Sequence, residues 1–173
     1  AHALHEVSAH EADFIAREHK EGAPCRHIHG AGRDFGWMKE DLLRRGLKLN
    51  QNGVEVREYI YDMPLVMAAA DLVLCRAGAS TISELTALGK PSILVPSPNV
   101  TANHQEKNAR LLERQGGAAV LLEGDCQGNA LYSAAMKLID DPARREKMAQ
   151  SLNAVAQPDA GENIYQALMG LLP

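Results

Sequence analysis

A short polar stretch between an apolar run and a helical pattern is the first place in this sequence that could carry chemistry. Residues 76–84 are Arg-Ala-Gly-Ala-Ser-Thr-Ile-Ser-Glu, and they follow the apolar run Leu72–Cys75. Gly78 allows a tight turn and a close approach of the backbone to a ligand. The first N–H groups of the helix that follows have no partner inside the helix and carry a positive dipole end, which favours a phosphate.

Glu84 has two interpretations at this place. The segment from Thr81 to Glu84 matches a capping box, in which Thr81 is the N-cap and Glu84 bonds back to its N–H group. Alternatively, the carboxylate binds a ligand, because its two oxygens suit two vicinal hydroxyls such as a ribose diol. The residues by themselves leave both interpretations open.

A second group of polar side chains lies near the start of another predicted helix. Gln105 and Asn108 are three residues apart and therefore share one helix face. Their amide groups donate and accept hydrogen bonds, as recognition of sugar hydroxyls requires. The same face continues with Ala109 and Leu112, so it turns inward further along the helix. This pattern fits a sugar-binding pair and a solvated helix start equally well.

Short apolar runs alternate with helical patterns along the chain. Strands are predicted near residues 25–29, 54–60, 71–75, 91–96 and 118–122. Helices are predicted near residues 3–20, 37–45, 63–70, 81–88, 103–115, 130–140, 143–155 and 163–171. The alternation is typical of βαβ units and predicts one α/β domain over residues 1–173, with a Rossmann-like, doubly wound parallel sheet. Within this domain, residues 156–173 form a linker and a terminal helix.

The informative loops all follow the carboxyl ends of predicted strands, where an open parallel sheet binds its ligands. Ile60 ends one strand, residues 76–84 follow the next, and residues 97–108 follow the third. A doubly wound domain normally opens with its central strand, whereas this chain opens with a helical pattern. We therefore expect that first strand, and more chain before it, upstream of Ala1.

Composition argues against several classes of function. The formal net charge is −4, so no overall basic surface indicates binding to nucleic acid or to anionic lipid. No apolar run approaches the ~20 residues of a membrane-spanning helix. The 3 cysteines lack metal-ligand spacing, and the 7 histidines are not part of a Cys/His/Asp cluster. We therefore predict reduced cysteines in a cytoplasmic protein, with no metal and no cofactor.

Residues 70–118 closely resemble the carboxyl-terminal half of the enzymes of the MurG family. Their sequence is ADLVLCRAGASTISELTALGKPSILVPSPNVTANHQEKNARLLERQGGA. The resemblance continues back through residues 57–71, REYIYDMPLVMAAAD, and is weaker towards both ends of the chain. This family consists of two-domain GT-B glycosyltransferases of peptidoglycan synthesis. The resemblance implies that the chain is the carboxyl-terminal, donor-binding domain of such an enzyme.

The resemblance also implies a role for each residue that matches the family's motifs. The backbone of Ile60 would hold the uracil of UDP-N-acetylglucosamine, and Glu84 would bind the ribose hydroxyls. Gln105 would recognise the N-acetylglucosamine, with Asn108 as its companion. The loop and helix start around the sugar nucleotide would comprise Ala79, Ser80, Thr81, Ile82 and Ser83.

The implied reaction serves cell-wall synthesis, and with it cell shape and division. The full enzyme would move N-acetylglucosamine from UDP to lipid I by an inverting displacement, giving lipid II, as a peripheral protein on the cytoplasmic side of the bacterial inner membrane. The acceptor cleft, the general base and the membrane contact belong to the family's amino-terminal domain. The 173 residues lack that domain and the family's glycine-rich diphosphate loop, so we expect this chain alone to be inactive.

Two other functions share these features. Other sugar-nucleotide enzymes, such as the UDP-N-acetylglucosamine 2-epimerases or a lipid galactosyltransferase, have the same fold. An epimerase needs acid/base carboxylates that face the sugar, and Glu84 is already assigned to the ribose. A stand-alone UDP-N-acetylglucosamine-binding subunit would act only with a membrane partner. His104 stands where some members of the MurG family have a second glutamine, so the contacts around the sugar differ there.

Overall fold

The computed structural model describes residues 12–17, 26–126, 129–157 and 159–171. The chain divides into two compact units, of which the first comprises Ala1–Val66 and Leu121–Met136. The second unit comprises Met67–Val120 and Lys137–Pro173. Residues 12–17 are helical and form α1, and the remainder of the helix predicted near residues 3–20 lies outside the described residues.

The sheet of the first unit has three strands, in the order β1-β3-β2. Strand β1 (His27–Gly30) pairs in parallel with β3 (Val54–Arg57), and β3 pairs antiparallel with β2 (Asn50–Gln51). Gln51 pairs with Val54, so Asn52 and Gly53 alone form the turn, and both have positive φ. Asn-Gly is the preferred pair for such a turn because both residues tolerate positive φ. This hairpin was not predicted from the sequence.

Helix α2 (Phe35–Arg44) covers the sheet of the first unit. Its buried residues, Met38 and Leu42, are four positions apart and therefore lie on one face. On β3 the buried residues are Val54 and Val56, which alternate as strand side chains do. The core of the first unit consists of Ala12, Ile15, Met38, Leu42, Val54 and Val56.

The sheet of the second unit is parallel throughout, in the order β4-β5-β6. Its strands are β4 (Val73–Cys75), β5 (Ser92–Leu94) and β6 (Ala118–Val120). Helix α4 (Ala79–Leu88) connects β4 to β5, and α5 (His104–Arg114) connects β5 to β6. The middle strand is buried over its whole length, as expected for a parallel strand covered on both faces. The core comprises Met67, Ala77, Leu85, Leu94, Ala109, Leu112, Ala118 and Leu152.

Helix α7 (Pro142–Val155) packs closely on the second unit's α/β layers. Leu152 is fully buried, and a Cβ built on Gly117 would lie 2.5 Å from Leu152 Cδ2. A larger residue at position 117 would therefore force the Leu152 side chain to move.

The other helices are α3 (Met63–Ala69), α6 (Ala130–Ile139) and α8 (Ala160–Met169). The five predicted strands and the predicted helices from residue 35 onward are confirmed, with ends shifted by a few residues. The α/β class and the parallel pairing are confirmed as well. In the described part of the chain, no helix is both long and apolar enough to cross a membrane.

His29 gives the first unit a pH-dependent stability. The half-buried His29 ring lies on β1 with its centroid 6.0 Å from that of His27. Burial, followed by the charge of His27, lowers the pKa of His29 from 6.5 to about 4. Between these two pH values the unfolded chain binds a proton that the folded chain does not, so stability is lost as the pH falls through this window.

We expect the free energy of unfolding to drop by on the order of 2–3 kcal/mol between pH 7 and pH 4 through this residue. Urea unfolding at a series of pH values measures the drop. His29→Gln should flatten the pH dependence, because glutamine takes up no proton in this range. An unchanged slope in His29→Gln would contradict the assignment.

Candidate functional site

Helix α4 begins at the carboxyl end of β4 without a side-chain cap. Its N-cap is Gly78, which is extended at φ −66° and ψ 152°. The first N–H that bonds within the helix belongs to Ile82, which donates to the Gly78 carbonyl. The N–H groups of Ala79, Ser80 and Thr81 therefore form the open first turn, as at any helix start.

Of the two interpretations of Glu84, the capping box is wrong, because the N-cap is Gly78 and not Thr81. Gly78 adopts the extended conformation of a cap residue, so the helix begins at Ala79, two residues earlier than expected. Glu84 consequently lies in the second turn and is exposed. The Ser83 hydroxyl donates to the Ala79 carbonyl at 3.1 Å, so it is used inside the helix.

The Glu84 carboxylate lies close to the end of β4. Burial, and after it the charge of Glu84, raise the pKa of the Cys75 thiol to about 12. Cys75 is the last residue of β4, and Glu84 lies on α4, the helix that begins just beyond this end of the strand. The thiol stays protonated and unreactive at neutral pH. Ala79 and Ser80 are exposed at the same edge, and Thr81 and Ile82 are half-buried.

Helix α5 holds the two loops at this edge through its amide side chains. The Ser97 N–H, in the loop after β5, donates to Gln105 Oε1 at 2.9 Å. Asn108 Nδ2 donates to the carbonyl of Ala77, in the loop after β4, at 3.3 Å. The structure therefore brings Gln105 and Asn108 together with the residues at the start of α4.

Arg76 adds a further link between the ends of the two strands. Its Nη1 donates to the Val95 carbonyl at 3.2 Å. The Val95 N–H in turn donates to the Cys75 carbonyl at 2.9 Å, which extends the pairing of β4 and β5 by one residue. The edge is thus a connected set of backbone and side-chain groups rather than two separate loops.

A strained turn sets where α5 begins. Ala102 and Asn103 both have positive φ, 52° and 51°, which is costly for an alanine. His104 Nδ1 lies 2.9 Å from the Thr101 carbonyl, and Asn103 Nδ2 donates to Glu106 at 2.6 Å. A carbonyl only accepts, so His104 Nδ1 must carry the hydrogen. The turn starts α5 at His104 and so positions Gln105 in its first turn.

Ile60 belongs to the first unit, in the loop after β3. Its side chain is buried, and a Cβ on Gly30 would lie 3.1 Å from Ile60 Cδ1. A ligand at this position would therefore meet the backbone of Ile60 and not its side chain. The neighbouring Tyr59 and Tyr61 are exposed, with ring centroids 4.9 Å apart.

The two groups that hold the amides, the Ser97 N–H and the Ala77 carbonyl, were not predicted from the sequence. Both are backbone groups, and neither residue type signals its partner. Among the described residues, no group of three His, Cys, Asp or Glu side chains could hold a metal ion.

The chain has many similar proteins. It is 44% identical over 166 residues to a transferase of Acetivibrio thermocellus, and 50% identical over 152 residues to one of Caldicellulosiruptor saccharolyticus. Both carry the name UDP-N-acetylglucosamine–N-acetylmuramyl-(pentapeptide) pyrophosphoryl-undecaprenol N-acetylglucosamine transferase. The matches cover 96% and 87% of this chain, but only 44% and 41% of the relatives. The chain thus spans less than half the length of these curated relatives.

Solved structures share the fold. The crystal structure of Acinetobacter baumannii MurG matches 83% of this chain and 42% of its own, with a TM-score of 0.71 and 23% identity. The kitacinnamycin glycotransferase matches 91% of this chain and 38% of its own, with a TM-score of 0.60 and 20% identity.

These findings confirm the resemblance to the MurG family and the GT-B type of α/β fold. The model of the glycosyltransferase family 28 C-terminal domain matches residues 3–164, which is nearly the whole chain, and the chain therefore belongs to this family.

Proposed function

We propose that this chain is the donor-binding part of an inverting glycosyltransferase that moves N-acetylglucosamine from UDP-N-acetylglucosamine to lipid I, giving lipid II. The observation that carries the proposal is the edge of the second unit. There an uncapped helix start, a carboxylate and two oriented amides lie on connected loops. The names of the relatives supply the donor and the class of acceptor.

Each part of the donor has a chemically suitable partner. The open N–H groups of Ala79–Thr81 and the helix dipole suit the diphosphate. The Glu84 carboxylate suits the ribose diol, and Gln105 and Asn108 suit the hydroxyls of the N-acetylglucosamine. In the first unit, the backbone of Ile60 suits the uracil edge. Ser80, Thr81, Ile82 and Ser83 complete the loop and the helix start around the nucleotide.

The chemical contribution of this part is to hold UDP while the bond to the anomeric carbon breaks. Negative charge grows on the diphosphate as UDP leaves, and the helix N–H groups stabilise it without rearrangement. The acceptor hydroxyl attacks from the opposite face and loses its proton to a base. We assign that base, the lipid I site and the contact with the cytoplasmic side of the membrane to the part of the relatives that this chain does not span.

Helix α8 suits an interface with that other part. None of its residues is buried, although it carries large apolar side chains. Its exposed side chains include Ile164 at 62%, Leu168 at 59% and, just beyond it, Leu171 at 81%. A solvent-facing helix normally keeps such residues on one covered side. We therefore assign residues 156–173 as a linker and a helix that packs on the remainder of a protein of the relatives' length.

The first prediction compares the chain with a chimera that joins it to the part of the Acetivibrio thermocellus transferase outside the match. The 173-residue chain alone should transfer no sugar, because the reacting atoms meet only between two parts of the enzyme. The chimera should transfer N-acetylglucosamine from its UDP derivative to a soluble lipid I analogue, followed by product chromatography. Turnover by the chain alone would contradict this division. A folded, UDP-binding chimera without transfer would contradict the proposed reaction.

The second prediction concerns Glu84. In the chimera, Glu84→Gln removes charge-assisted hydrogen bonds worth roughly 1.5–3 kcal/mol. Calorimetric titration should therefore find UDP binding weaker by about ten- to a hundredfold. The effect should largely vanish with 2′-deoxy-UDP, which lacks one of the two hydroxyls. Since Glu84 caps no helix, thermal stability should not change, and Glu40→Gln on the exposed face of α2 is the matched control. Unaltered UDP affinity would remove Glu84 from the site.

The third prediction concerns α8. The double change Ile164→Ser and Leu168→Ser should scarcely affect the stability of the chain alone, where both side chains are exposed. In the chimera it should lower the free energy of unfolding by roughly 2–5 kcal/mol, because two apolar side chains lose their buried surface. Denaturant unfolding of both proteins measures the difference. Equal losses in the two proteins would mean that α8 does not pack on the added part.

A further inference from the structure

The loop that joins β3 to α3 is closed across its two ends by one guanidinium group. Arg57 is the last residue of β3, and Asp62 directly precedes α3. Arg57 Nε donates to Glu55 Oε1 at 2.7 Å, and Arg57 Nη1 donates to Asp62 Oδ1 at 3.0 Å. The guanidinium is planar and rigid, so it ties the far end of the loop back to the strand.

Backbone bonds and a buried side chain hold the other parts of this loop. The Ala31 N–H donates to the Arg57 carbonyl at 2.9 Å. The Gly32 N–H donates to the Glu58 carbonyl, also at 2.9 Å, so the contact between the first and third strands continues past the end of β3. In the middle of the loop, the side chain of Ile60 is buried. The loop is therefore fixed at its start and its middle, and Arg57 fixes its end.

The peptide groups of Ile60 are left open by this arrangement. Among the described residues, neither the N–H nor the carbonyl of Ile60 has a hydrogen-bond partner. Backbone groups without a protein partner are bonded by water or by a ligand. One donor and one acceptor on the same residue are complementary to the edge of uracil, where an N–H group lies beside a carbonyl. In the same two places cytosine has an acceptor and a donor in the opposite order.

Resting on the proposed function, in which the backbone of Ile60 holds the uracil, we infer that Arg57 is a positioning residue for recognition of the base. Its bonds to Glu55 and Asp62 fix the direction in which the open peptide groups of Ile60 point. Arg57 acts through this loop and does not itself touch the nucleotide. The ion pairs of Arg57 therefore set the selectivity for the base, whereas the ribose and the diphosphate are bound by the second unit.

The partial exposure of these charges determines what their loss should do. The side chains of Arg57 and Glu55 are 27% and 29% exposed, and that of Asp62 is 50% exposed. Ion pairs of this exposure add little to stability, but an arginine shared by two carboxylates has a well-defined geometry. Removal of Arg57 should therefore loosen the loop without unfolding the protein. We expect a moderate loss of base selectivity and no loss of contacts to the rest of the nucleotide.

The experiment measures the affinities of the chimera defined above for UDP and for CDP by calorimetric titration. The wild-type chimera should bind UDP more tightly by about a hundredfold or more, because cytosine mismatches both peptide groups of Ile60. Arg57→Gln should lower this ratio by about three- to tenfold through UDP alone, with the affinity for CDP unchanged. Asp62→Ser suits a helix start but is too short to reach Arg57, so it should have the same effect. The double variant should lose no more than either single variant, since both remove one contact.

Arg45→Gln is the matched control. Arg45 also bonds two carboxylates of the first unit, Asp13 at 2.6 Å and Asp41 at 2.7 Å, but it lies at the end of α2. Its loss should leave the ratio of UDP to CDP affinity at the wild-type value. A second measurement needs no variant, because salt screens exposed ion pairs. Raising the salt concentration from about 0.05 M to about 1 M should lower the ratio in the wild-type chimera.

The outcomes separate the inference from the proposed function. An unchanged ratio in a folded Arg57→Gln chimera would overturn the inference, and so would an equal loss in Arg45→Gln. If Arg57→Gln does not fold, a wild-type ratio that is independent of salt would overturn it instead. Equal affinities of the wild-type chimera for UDP and CDP would contradict the contact between Ile60 and uracil in the proposed function, and the inference would fail with it.

Discussion

The parallel pairing of β4, β5 and β6 is the constraint on which the rest of the second unit depends. Because β5 is buried over its whole length, helices must cover both faces of this sheet. Parallel strands also end at the same edge, so the loops that follow β4 and β5 must lie side by side. The open N–H groups of α4, the Glu84 carboxylate and the amides of α5 meet at that edge as a direct consequence.

Side chains of α5 bond the backbone groups of the two loops that follow the paired strands β4 and β5. The pairing ends with the bond from the Val95 N–H to the Cys75 carbonyl, and the peptide groups beyond it need other partners. Gln105 and Asn108 supply these partners from one helix face. Each amide has two ends, so one end can hold a loop while the other meets a ligand. Loop order and, in the proposed function, sugar recognition would therefore depend on the same two residues.

The backbone just before α5 is the most strained part of this arrangement. The left-handed conformations of Ala102 and Asn103 cost free energy, which the bonds of His104 and Asn103 to their neighbours help to offset. Strain of this kind persists only where the surroundings fix the backbone. The turn determines the rotation of α5 about its axis, and so which of its residues face the edge. A shift by one residue would turn Gln105 and Asn108 away from the loops.

The sequence by itself determined the elements and the candidate side chains, because both depend on local spacing. Apolar runs and helical periodicity located the strands, and the three-residue interval put Gln105 and Asn108 on one face. The Asn-Gly turn of the first unit was equally local, because the residue pair itself is the hairpin signal.

Tertiary structure decided the rest. Thr81–Glu84 has the residues of a capping box, but Gly78 ends the loop earlier and α4 begins there. The partner of Asn108 lies 31 residues away and is a backbone carbonyl, so no residue type could identify it. The orientation of each amide, and hence the end available to a ligand, follows from such distant contacts and exists only in the folded chain.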